Sequence, residues 1–92
     1  MYMNTYLVAY ELFSGNAYME GSLEASIKSF GYWARPINNI WLIKSYNTKE
    51  YIMGILRQSL GITDKLLIMQ VNNEWISTHL GADVVNWMKS GL

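Results

Sequence analysis

Glu11 is the residue whose type and position carry the most chemistry. It ends an apolar stretch immediately before Ser14-Gly15-Asn16. A carboxylate at a strand end beside a loop is a common place for a metal ligand or a general base. Should a two-fold axis pass nearby, Glu11 and its mate would offer oxygen ligands to one shared Mg²⁺ or Mn²⁺, the ions that prefer such donors. The plainer expectation is a solvated strand-end carboxylate paired with Lys44 or Arg35.

The other titratable residues point less far. His79 is the only histidine, and no cysteine exists to complete a soft metal site. It reads as a loop or helix-start residue. Asp83 reads as a cap or first-turn carboxylate, and Asp64 as a turn residue. Gly15 stands alone and makes no phosphate-binding loop.

Aromatic residues form a second candidate surface. Tyr32, Trp33 and Trp41, with Arg35, cluster across a hairpin, and Tyr10 lies on the first strand. Aromatics on a four-stranded sheet stack bases in RNA-recognition domains. The basic-glycine-aromatic signature of that module is missing here. Core and interface packing is the competing reading.

Charge narrows the choice. Seven basic residues balance seven acidic ones. Up to Tyr46 they are scattered: Lys28, Arg35 and Lys44 against Glu11, Glu20 and Glu24. No basic stripe of the kind that drives phosphate binding is present, nor the acidity of a nucleic-acid mimic. The chain is only 15% charged and 51% hydrophobic, with four Trp, seven Tyr and two Phe. So apolar a surface implies cover by a partner. No run reaches the roughly 18–20 apolar residues of a membrane span. Met1-Tyr2-Met3-Asn4 lacks the marks of a signal peptide, so a cytoplasmic location is expected.

The elements that position these residues follow from periodicity. Asn4 to Leu12 reads as a strand, and Phe13 to Asn16 as a loop. Ala17 to Phe30 reads as a helix whose apolar stripe is Met19, Leu23, Ile27 and Phe30. Gly21 weakens it by about 1 kcal/mol relative to Ala, and Gly31 suits its left-handed stop. Tyr32 to Ile37 is a second strand, placed at an edge by Pro36. Asn38-Asn39 is a tight turn in which Asn tolerates positive φ. Ile40 to Tyr46 is the third strand. Asn47 or Thr48 caps a helix over Lys49 to Leu60, with Ile52, Ile55, Leu56 and Leu60 inward. Lys65 to Val71 is the fourth strand. Ala82 to Ser90 forms a last short helix with Val84, Val85, Trp87 and Met88.

Strand, helix, hairpin, helix, strand over one 92-residue domain is the order of an α+β, ferredoxin-like βαββαβ fold. Its four-stranded antiparallel sheet would carry two helices on one face. The other face should then alternate with polar residues, yet both alternating sets are apolar. Tyr6, Val8 and Tyr10 oppose Leu7 and Ala9; Trp41 and Ile43 oppose Ile40 and Leu42; Leu66 and Ile68 oppose Leu67, Met69 and Val71. A short final helix covers part of such a face. A homodimer packed through the sheet face is the expected cover. The alternative is a monomeric core closed by Asn72 to Leu92.

Several segments taken together resemble a known family. Thr5-Tyr6-Leu7-Val8-Ala9-Tyr10-Glu11-Leu12 looks like the first strand of the small nuclease-like subunit of the CRISPR spacer-integration complex. It looks closer still to that subunit's stand-alone relatives, often labelled "SinR family". Ile27 to Ala34 (IKSFGYWA), Ile40 to Lys44 (IWLIK), Asp64 to Ile68 (DKLLI) and Trp87-Met88-Lys89 complete the match, which spans most of the chain in short apolar motifs. The resemblance implies a ferredoxin-like homodimer. In active members a strand-end aspartate binds a divalent metal for phosphodiester hydrolysis. Glu11 stands at that position. Its extra methylene moves the carboxylate by about 1 Å, a shift that can cost about a hundredfold in rate.

Three functions follow, in order of fit. The first is a dimeric, catalytically weak or inactive module that binds another protein, in a defence, toxin or phage-related system. The second is a Mg²⁺- or Mn²⁺-dependent nuclease using paired Glu11. The third is a non-catalytic nucleic-acid binder using Tyr10, Trp33, Arg35 and Trp41.

Overall fold

The computed structural model describes residues 3–13 and 17–92. The expected Ser14-Gly15-Asn16 loop lies outside them. The elements are β1 (Asn4–Glu11), α1 (Ala17–Lys28), β2 (Tyr32–Ile37), β3 (Ile40–Ser45), α2 (Lys49–Leu56), β4 (Lys65–Val71) and α3 (Ala82–Lys89). All strands pair antiparallel in the order β2-β3-β1-β4. This is the ferredoxin-like arrangement, with β1 and β3 central.

Local chemistry sets the element ends. The Thr48 hydroxyl accepts the Tyr51 N–H at 3.2 Å and caps α2. Arg57–Ser59 then tightens into a 3₁₀ turn, so the α-helical part of that segment is shorter than the periodicity predicts. α1 stops at Lys28, and Gly31 turns the chain into β2 at φ 92°. The β2–β3 connection is the expected two-residue Asn38-Asn39 turn, with Ile37 paired to Ile40, but its backbone differs from expectation. Neither Asn38 nor Asn39 takes a positive φ. The register shifts between Ala34 and Ile37 instead, and this bulge takes up the twist that an ordinary two-residue turn would leave unmatched. Pro36 sits in that irregular stretch, on an edge strand as its missing N–H requires.

The core lies between the sheet and the first two helices. Val8, Trp41, Ile43, Leu23, Ile27, Ile52 and Leu56 are fully buried there, joined by Tyr6 and Tyr10. The two tyrosines bury hydroxyls, and both hydroxyls are partnered. Tyr6 donates to the Asn47 carbonyl at 2.9 Å, and Tyr10 accepts from Trp41 Nε1 at 3.4 Å.

The opposite, outer face of the sheet is covered in part. Directly paired residues share a face, so Leu7 lies with Leu42 and Met69, and Ala9 with Leu67. Segment 72–92 stands over the β2–β3 half of this face. Met88 of α3 and Leu42 of β3 are both buried, and together they line the space beneath the segment. Lys44 Nζ reaches up to Ser90 Oγ at 2.8 Å and lies 4.5 Å from the Trp87 ring centre. The Leu92 N–H donates to Asn73 Oδ1 at 2.6 Å and closes the segment on itself. The β1–β4 half remains open, with Leu67 54% and Met69 49% exposed. The Cα extents of 35 × 33 × 19 Å describe a slab too thin for a complete third layer.

Ile52→Ala removes a fully buried side chain at the sheet–helix contact and is expected to cost about 2–4 kcal/mol in urea unfolding. The same truncation at fully exposed Ile62 is expected to stay within about 0.5 kcal/mol.

Candidate functional site

Glu11 is the last residue of β1 and lies directly across from Lys65 at the start of β4. Its carboxylate is 3.7 Å from Lys65 Nζ, and its side chain is 61% exposed. Register fixes this pairing, in place of the Lys44 or Arg35 partner expected from sequence. Arg35 is instead held by Glu24 of α1 at 3.1 Å, and Lys44 by the 72–92 segment. Lys65 also lies 5.5 Å from the Phe13 ring centre.

The nearby acid, Asp64, is committed to structure. Its Oδ1 accepts the Phe13 N–H at 2.8 Å and its Oδ2 accepts the Gly61 N–H at 2.7 Å. One carboxylate thereby ties the chain leaving β1 to the turn that enters β4. Sequence reasoning read a turn residue here and missed the clamp, because Phe13 is 51 positions away.

The donor set at β1's end does not fit a divalent ion within one chain. A single exposed carboxylate faces a competing ammonium. No group of three or more His, Cys, Asp or Glu side chains converges anywhere among the described residues. His79 takes a left-handed φ of 62° in the loop before α3, and its Nδ1 is 3.1 Å from Thr78 Oγ1. Asp83 sits in the first turn of α3, whose cap is Gly81. The Glu50 carboxyl is held below its usual range by the hydrogen bond from Lys49, but that pair belongs to the exposed first turn of α2.

The aromatic cluster resolves onto two faces. Trp33 and Trp41 meet on the helix side, with ring centres 5.2 Å apart and planes at 53°. Lys28 lies 5.2 Å from the Trp33 ring centre, and Arg35 lies 4.8 Å from that of Trp41. Tyr32 points the other way, paired with Lys44 across the hairpin. Trp41 and Tyr10 are core residues, so neither offers a face to a base. Trp33, 38% exposed, is the outer member of the pair.

Four of the seven basic residues (Lys28, Arg35, Lys44 and Lys65) sit over aromatic rings. Such cations are anchored to their own fold. Lys49 is paired with Glu50. These positions build no continuous basic track.

One concavity was not foreseen. A groove of about 630 Å³ opens between the outer sheet face and segment 72–81, lined by Leu7, Ile40, Leu42, Val71, Trp75 and Met88, among others. Its signal in the sequence was the second apolar set on β1, β3 and β4. Among the described residues, no helix is long and apolar enough to cross a membrane. No protein-family model matches the chain, and no curated protein matches it.

Asp64→Ala strips the acceptor from two backbone N–H groups and is expected to cost about 1–3 kcal/mol in chemical denaturation. Faster amide exchange at Phe13 and Gly61 is the accompanying signature, and unchanged exchange there would refute the clamp.

Proposed function

We propose that this protein is a non-catalytic, homodimeric interaction module whose association surface lies along the uncovered β1–β4 side of its sheet. The observation that carries this reading is the half-exposed pair Leu67 and Met69, side by side with Ala9 and Leu7 on a surface whose charge is confined to its end, at Glu11 and Lys65. Exposed apolar patches of this kind mark protein contact sites.

The same surface, low in charge, suits a further protein partner better than a polyanion. A metal-dependent nuclease built on Glu11 draws no support from its lone carboxylate beside Lys65.

Light-scattering mass over a dilution series is expected to give a dimer, shifted to monomer by Met69→Lys. An Mg²⁺/Mn²⁺ nuclease assay is expected to give the same background for wild type and Glu11→Gln. A monomer at all concentrations would refute the dimer, and cleavage lost in Glu11→Gln would restore the nuclease.

A further inference from the structure

The two edges of the sheet are treated differently. β2 carries Pro36 and a register shift, two devices that keep another strand from adding. β4 carries neither. It runs seven residues, Lys-Leu-Leu-Ile-Met-Gln-Val, in unbroken register with β1, and its single charge lies at its first position. Among the described residues, no backbone hydrogen bond from another segment reaches its outer edge. An apolar edge of this length is a template for strand pairing.

We propose that the outer edge of β4 is the seam at which a second copy of this chain joins, antiparallel and centred on Ile68, merging two four-stranded sheets into one of eight strands. The proposal rests on the homodimeric reading above and places the contact at the edge that borders the open face, in place of the face-to-face packing expected from the sequence.

Self-complementarity identifies the occupant. Centred on Ile68, the pairing sets Leu67 against Met69 of the second copy, Leu66 against Gln70, and Lys65 against Val71. Opposite residues then share a face, and all seven positions are paired. A one-residue slip would set outer-face residues against helix-side ones. The two most exposed apolar residues of β4 thus become cross-strand neighbours twice over, about 5 Å apart. The two Lys65 ammonium groups fall at opposite ends of the seam. Six residues at 3.3 Å separate them by about 20 Å, well beyond the screening length at physiological salt.

The rest of the fold favours the same approach. Segment 72–92 stands on the β2–β3 half of the outer face, so a flat stack of two sheets is obstructed there, while β4 borders the open half. The joined sheet leaves the two Glu11 carboxylates about 20 Å apart along the strands, each beside its own Lys65. This assembly therefore forms no shared metal site.

The chain has no cysteine, so single thiols report the seam cleanly. In Ile68→Cys the two thiols would face each other across an antiparallel pair, with Cα atoms about 4.5–5.5 Å apart, within disulfide range. Mild oxidation is expected to give a covalent dimer on a non-reducing gel. Ala9→Cys, in β1, is expected to give none. Because Ile68 is half-buried, an equimolar mixture of Leu67→Cys and Met69→Cys provides a second test at exposed positions. The mixture is expected to cross-link more than either variant alone. A dimer by mass that cross-links at neither position overturns the seam and leaves the homodimer standing, the more so if Ala9→Cys cross-links instead. A monomer at every concentration removes both.

Discussion

A sheet whose two central strands are apolar on both faces needs cover on both sides, and that constraint organises the rest of this molecule. On one side the cover is complete: α1 and α2 lay Leu23, Ile27, Ile52 and Leu56 over Val8, Trp41 and Ile43. On the other side residues 72–92 reach half of the face. The apolar groove lies beneath this partial cover, and the half-exposed β4 side chains lie beyond it.

The charged residues answer to the same constraint. Arg35 and Lys28 lie against the tryptophans at the rim of the helix-side core, and Lys44 pins the outer cover through Trp87 and Ser90. Cations used in this way extend a small core outward, since their stems lie along apolar rings while their heads remain wet. The balanced charge of the sequence thus describes a fold that spends its cations on its own rim. Glu11 and Lys65 fall into this pattern as a cross-strand pair at the sheet's end.

The architecture was legible because its signals are local. The strand and helix periods, the Thr48 cap, the left-handed Gly31 and the edge placement of Pro36 depend on residues a few positions apart. The apolar second face was legible too, since alternation along one strand reveals it. What escaped the sequence depends on register and on contacts between distant segments. Glu11 meets Lys65, and not Lys44 or Arg35, because β1 and β4 pair at that offset. Asp64 clamps Phe13 for the same kind of reason. Trp41 and Tyr10 have the composition of a stacking surface, and only the packing of the helices shows them to be interior. Asn38-Asn39 makes the tight turn its residue types suggest, but its tolerance of positive φ goes unused beside a register shift in β2.

The manner in which segment 72–92 is fastened has a consequence for handling and storage. One eight-residue helix, one lysine tether and one terminal hydrogen bond hold a cover over a surface as oily as the interior. Lifting that cover disturbs none of the packing between the sheet and the first two helices, so it demands far less energy than unfolding. A concentrated solution would therefore lose material through molecules whose cores are still intact.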